Sequence, residues 1–148
     1  MKDEESEIRE ARFKRWASRY PGKVVPEEEV FRNIKRGDKI FIGTGCGQPQ
    51  YLVKALMKYL QSHPKAFFDA EIFHVWTLGV APYTDTRYRS NFRHNSFFVG
   101  NNTRDAINTG LADYTPIFLS QVPGLFKRGL EQMDVALIQV TRPDRHGY

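Results

Sequence analysis

The sequence predicts an α/β fold, a mostly parallel sheet with helices on its faces. Three observations predict it. A short apolar strand at 38–42 runs into Gly43-Thr44-Gly45-Cys46-Gly47 and then into a helix-periodic stretch, the strand–glycine loop–helix order of a first crossover. Residues 134–140 hold a dense apolar run, Val135-Ala136-Leu137-Ile138 and Val140, typical of a strand buried on both faces. Between these segments, strand-like and helix-like stretches alternate, as a parallel sheet with crossover helices requires.

Each element has its own signal. Over 3–19, Phe13, Trp16, Ala17 and Tyr20 recur at helical spacing, and Pro21-Gly22 ends the helix. Pro26 suits the first turn of a second helix, Glu27, Glu28 and Glu29 suit its positive end, and Val30, Phe31 and Ile34 are its core candidates, with Gly37 as terminator. After the glycine loop, Leu52, Ala55, Leu56, Tyr59 and Leu60 keep a helical period that His63-Pro64 closes. Residues 72–78 form an apolar strand, and 82–95 a long polar, aromatic and basic loop. Residues 96–99 form a strand, 103–109 a helix closed by Gly110, 116–119 a short strand, and 123–128 a helical turn or two. The strand at 134–140 precedes a polar turn at 143–147 that opens a further element. No internal repeat is present.

The 148 residues suit one domain with a real core, and 41% apolar and 14% aromatic content excludes a disordered chain. No apolar run is long enough for a membrane span, and the charged N-terminus is no secretory signal, so a cytoplasmic protein is expected. Cys46 is the single cysteine, which excludes an internal disulfide and CxxC chemistry. The net charge of +5 favours anionic partners slightly and otherwise describes a solvated surface.

In a parallel sheet the ligand site lies at the carboxyl ends of the strands. Segments 43–49, 77–79, 100–103 and 141–147 fall there. The glycine loop offers backbone N–H groups to a phosphate or oxyanion, or else is only a tight turn. It is neither a P-loop nor a GxGxxG fingerprint. Cys46 is expected to be a small buried side chain rather than a nucleophile paired with His74, His94 or His146. Asn101 and Asn102 are either a helix cap or amide donors to a substrate. His146 is the histidine best placed for a site, with a solvated turn residue as the alternative. No histidine spacing suggests zinc or another metal. Arg87, Tyr88, Arg89, Phe92, Arg93 and His94 interleave base and aromatic. They allow RNA contact, a grip on cofactor phosphates, or a solvated loop, and no nucleic-acid signature supports the first.

Four stretches together resemble one family. They are Ile42-Gly43-Thr44-Gly45-Cys46-Gly47-Gln48-Pro49, Phe98-Val99-Gly100-Asn101-Asn102-Thr103-Arg104, Ala112-Asp113-Tyr114-Thr115-Pro116-Ile117, and Asp134 through Val140 continuing to Pro143-Asp144-Arg145-His146-Gly147-Tyr148. In order and spacing they resemble the N-terminal domain of acetyl-CoA hydrolase/transferases, the group that includes 4-hydroxybutyrate CoA-transferase. The resemblance implies a fold of two similar α/β domains, with residues 1–23 an N-terminal helical arm and 24–148 the first domain. It implies coenzyme A, as acyl-CoA, and a small acetate-like carboxylate as substrates, and no metal. Its nucleophilic glutamate belongs to a C-terminal domain and is expected beyond Tyr148, so no catalytic residue is expected here. The implied partners are that C-terminal domain or a second chain, and further copies of the full enzyme. The implied substrate-binding residues are Gly43, Thr44, Gly45, Gly47 and Gln48, then Thr77, Asn101, Asn102 and His146. A stand-alone module that binds a CoA ester without turnover is the alternative, and an RNA-binding domain a lesser one.

Overall fold

A computed structural model describes residues 4–144, 146 and 148. Five strands form one sheet: β1 (Lys39–Ile42), β2 (Ala70–His74), β3 (Phe92–Ser96), β4 (Asp113–Tyr114) and β5 (Val135–Leu137). Their order is β4-β3-β2-β1-β5, and every neighbouring pair is parallel. The chain builds outward from β1 to β4 and then returns to place β5 on the other side of β1. The order therefore reverses between β1 and β5, and sheets of this kind open a ligand crevice at such a point, beyond the strands' carboxyl ends.

Helices α1 (Glu4–Arg19), α2 (Glu27–Arg32), α3 (Gln50–Ser62), α4 (Arg104–Asn108) and α5 (Val122–Lys127) complete the fold. One face of the sheet is covered by α2 and α3. There Ile40, Ile42, Ala70, Ile72, Phe92 and Leu137 pack against Val53, Leu56, Met57 and Leu60 of α3 and Phe31 of α2. Each such large apolar side chain contributes about 1.5–3 kcal/mol when fully buried, so α3 is held by its core stripe rather than by a cap. The opposite face packs Phe73, Phe97 and Val122 with Phe41, Leu125 and Phe126. Among the described residues, no helix is long and apolar enough to cross a membrane.

The structure moves several expected elements. β3 occupies Phe92–Ser96, so all but Ser96 lies in the stretch expected to be a loop, whereas 97–99 bends away from the strand expected there. Its inward positions are Phe92, His94 and Ser96, so a buried strand carries a polar sequence. The expected strand at 116–119 lies instead at Asp113–Tyr114, and Phe118 and Leu119 are exposed. β2 begins at Ala70 and ends at His74 rather than running to 78. β5 stops at Leu137 although the β-branched pattern continues to Val140. Its partner β1 ends opposite, at Ile42, leaving later residues without a ladder on that side. Val30, expected in the core, is 40% exposed, while Phe31 and Ile34 are buried.

Candidate functional site

The carboxyl end of β1 leads into the glycine loop at the order reversal. Gly43 N–H donates to the Leu137 carbonyl of β5 (2.9 Å), and Gly45 N–H donates to the Trp76 carbonyl (2.8 Å), so the loop ties the ends of β5, β1 and β2 together. Thr44 Oγ1 accepts from Trp76 N–H (2.7 Å) and donates to the Trp76 carbonyl. A Cβ on Gly43 would meet the Gly47 carbonyl at 3.0 Å, and Gly45 sits at φ +58°, a conformation that favours glycine. The loop then closes a single 3₁₀ turn at Gly45–Gly47 before α3.

The amide inventory of this loop is smaller than the sequence suggests. The N–H groups of Gly43, Gly45, Gly47 and Gln48 all donate internally. Those of Thr44 and Cys46 have no acceptor among the described residues. They are the loop's amides left for a ligand oxygen. Cys46 is exposed rather than buried, against the expectation, because the turn lifts it off the core.

Three of the four expected segments meet here. Gln48 is 3% exposed and Thr77 2% exposed. The Gln48 carboxamide oxygen accepts from Thr77 Oγ1 and from Gly79 N–H (3.0 Å), and its Nε2 donates to the Val80 carbonyl (3.0 Å). Asn102 Nδ2 donates to the Gly79 carbonyl and reaches Thr77 Oγ1 at 3.5 Å. Gln48, Thr77 and Asn102 are thus struts that hold the three loops together. Asn102 is not the cap of α4; Thr103 takes that place, without a side-chain cap bond.

Beside these struts lies a cleft of about 290 Å³. Trp76, Leu78 and Phe98 give it apolar walls, with Trp76 and Phe98 edge-to-face at 5.7 Å. Asn101, Asn102 and Arg104 give it polar ones. Gly100 lies at its base, where a Cβ would meet Asn102 Oδ1 at 2.9 Å and Trp76 Nε1 and the Thr77 carbonyl at 3.1 Å. No carboxylate is among the described residues that line it. The cleft presents the Asn101 carboxamide and the Arg104 guanidinium to an anion, with an apolar wall for a short chain. Arg104 lines the cleft too, although the sequence reading did not single it out as a binding residue. Its signal was present, a cation three residues beyond Asn101.

His146 is placed elsewhere. It lines a hollow with Asp144 and residues of α1, and it is not among the residues lining the cleft. The basic-aromatic stretch is largely neutralised within the chain. Arg87 pairs with Asp85 (2.8 Å), and Arg93 pairs with Asp69 (2.8 Å) and reaches Glu71 at 3.9 Å.

Sequence reasoning also missed a buried pair between β2 and β3. His74 and His94, 0% and 2% exposed, meet Nε2 to Nε2 at 2.8 Å, with the Tyr83 ring 5.4 Å from that of His94. Burial lowers His74 to about 4. Burial, and then the neighbouring His74, lowers His94 to about 3. Both rings are therefore neutral near pH 7, one donating and the other accepting. Burial pushes the Tyr83 phenol up, so it is neutral as well. The pair joins β2 to β3, and His74 lies two residues before Trp76, the first lining residue of the cleft. Only the period-two spacing of Phe92, His94 and Ser96 could have disclosed it.

Comparison with known proteins gives a consistent result. Residues 7–148 match the acetyl-CoA hydrolase/transferase N-terminal domain. The succinyl-CoA:acetate/propanoyl-CoA:succinate CoA transferase of Fasciola hepatica is 44% identical over 137 residues, covering 93% of this chain and 26% of that protein. The 4-hydroxybutyrate coenzyme A transferase of Clostridium kluyveri is 41% identical over 133 residues, covering 90% of this chain and 30% of that protein. RipA from Yersinia pestis has a similar fold, with TM-score 0.73 and 21% identity over 88% of this chain and 32% of its own. A 4-hydroxybutyrate CoA-transferase from Porphyromonas gingivalis also aligns, with TM-score 0.61, 22% identity, and coverage of 88% of this chain and 28% of its own. The chain thus spans about a quarter to a third of the length of these relatives.

Proposed function

The chain belongs to the acetyl-CoA hydrolase/transferase family, to which it corresponds as the N-terminal domain, and from that premise we propose that it supplies the carboxylate-binding half of a CoA-transferase site. The donor is an acyl-CoA and the acceptor a small acetate-like carboxylate. In the proposed reaction a glutamate of a C-terminal domain, beyond Tyr148, attacks the thioester carbonyl. The C–S bond breaks, CoA thiolate leaves, and an acyl-glutamyl anhydride forms. The thiolate then attacks the glutamyl carbonyl, releasing the first carboxylate and leaving a glutamyl-CoA thioester. An acceptor carboxylate reverses these steps to give the new acyl-CoA, and water instead gives hydrolysis.

The observation that carries this reading is the cleft at the carboxyl ends of the strands. It offers Arg104 and Asn101, with no carboxylate of its own among the described lining residues. The glycine loop, bonded to the Trp76 backbone, leaves the Thr44 and Cys46 amides without an acceptor among the described residues. Such donors suit the negative charge that develops on the attacked carbonyl oxygen and on the departing carboxylate. Trp76, Leu78 and Phe98 suit a short acyl chain. Gly43, Gly45 and Gly47 keep the loop low enough for the ligand, and Gln48, Thr77 and Asn102 hold it in place. We assign His146 no part in this pocket. The single Cys46 suits a reducing compartment such as the cytoplasm. The test is exchange of labelled acetate into acetyl-CoA. It is expected to be absent with this chain alone and to appear when the remainder of a family enzyme is added.

A further inference from the structure

Helix α1 gathers three of its arginines into one hollow, apart from a second hollow of mixed charge. Glu7, Glu10 and Lys14 share one hollow of its surface. Arg12, Arg15 and Arg19 share another with Trp16 and Tyr20. Spacings of three and four residues stack the three guanidiniums on one helix face, where like-charged neighbours destabilise the helix. Arg19 lies in the last turn, where the helix dipole favours a cation, but Arg12 and Arg15 lie before it. Among the described residues, none of the three guanidiniums has an ion pair or hydrogen bond, whereas Arg87, Arg93 and Arg142 each pair with a carboxylate.

The other wall of this hollow is the C-terminal tail, through Asp144 and His146. The tail is fastened to α1 by Arg142, which pairs with Glu10 at 2.8 Å and lies 4.9 Å over the Phe13 ring. Asp144 Oδ1 accepts from the N–H groups of His146 (2.8 Å) and Tyr148 (3.0 Å), so the carboxylate shapes the tail. The space between the walls is about 260 Å³. That is just below the range of about 300–1,000 Å³ for pockets that enclose a whole ligand, and it has room for a phosphate and one ring. Trp16 and Tyr20 lie 5.3 Å apart, and Tyr20 is 46% exposed, which leaves ring surface for stacking.

We propose that this hollow binds a phosphorylated nucleotide. Arg12, Arg15 and Arg19 take the phosphate oxygens, since guanidinium forks match phosphate geometry. Tyr20 stacks the base, and Asp144 on the facing wall keeps the phosphates on the arginine side. The nucleotide is either free or the nucleotide end of a CoA molecule; the recognition chemistry is the same. The assignment rests on the hollow alone and stands or falls independently of the transferase reading.

The test is calorimetric titration of the 148-residue chain with AMP, CoA and inorganic phosphate, with the Trp16 indole followed by NMR. Both nucleotides are expected to bind and to shift that indole. Tighter binding of CoA than AMP identifies CoA as the source, and the reverse identifies a free nucleotide. Replacing Arg12→Ala and Arg15→Ala together is expected to weaken binding about tenfold or more, and raising salt from about 50 to about 200 mM to weaken it further. Tyr20→Leu, which leaves the arginines intact, is expected to weaken nucleotides but not inorganic phosphate. The proposal is overturned if neither nucleotide binds, if binding survives the double arginine change, or if Tyr20→Leu leaves nucleotide affinity unchanged.

Discussion

Mild acid should destabilise this domain through the His74–His94 pair, and the size of the effect follows from its burial. An unfolded histidine titrates near 6.5, whereas burial holds the folded pair at about 4 and about 3. Between those values the unfolded chain binds protons that the folded chain refuses, so stability rises with pH across that window. Above about pH 6.5 the pair costs nothing in charge; each unit of acidification below it removes about 1.4 kcal/mol per histidine. From pH 7 to about 4.5 the two groups together give a loss of about 5 kcal/mol, comparable with the whole stability of a small domain. The assay is urea unfolding followed by circular dichroism at a series of pH values, for the native chain and for a His74→Phe, His94→Leu chain. The native midpoint should fall steeply between about pH 6 and 4.5, while the variant keeps only the shallower slope of its other groups. Equal slopes in the two chains would refute the reasoning, because the pair would then be charged or solvated in the fold.

Two side-chain changes test the struts of the cleft. Gln48→Ala strands the Thr77 hydroxyl, the Gly79 N–H and the Val80 carbonyl; it should cost about 2–3 kcal/mol in urea unfolding, and a loss under about 0.5 kcal/mol would deny Gln48 a holding role. Gly100→Ala would press a methyl against Asn102 Oδ1, Trp76 Nε1 and the Thr77 carbonyl. It should cost about 1–3 kcal/mol and shift the Trp76 indole resonance, and an unmoved indole would mean that the backbone at Gly100 yields to the methyl.

The crossover at the glycine loop was legible because its signals are local: a short apolar strand, glycines for the turn, and a helical period from Leu52 to Leu60. The convergence of 43–49, 77–79 and 100–103 followed from the rule for parallel sheets. What failed depended on partners distant in sequence. β3 hid because two of its inward positions are His94 and Ser96, and His94 is acceptable in a core only against His74, twenty residues earlier. β5 was overextended because the pattern of Ile138 and Val140 says nothing of where β1 ends. That Gln48 is an internal strut, and Thr77 a strut that also lines the cleft, required their mutual hydrogen bonds. The setting of His146 required knowing that the tail folds onto α1 through Arg142.

The most direct test of the central claim is the exchange of labelled acetate into acetyl-CoA. Three samples suffice: this chain, the Clostridium kluyveri enzyme lacking its corresponding N-terminal part, and the two mixed. The expected result is no exchange by either part and exchange by the mixture, reduced when the chain carries Arg104→Ala. Exchange by this chain alone would place a nucleophile within these residues and contradict a binding half completed from outside.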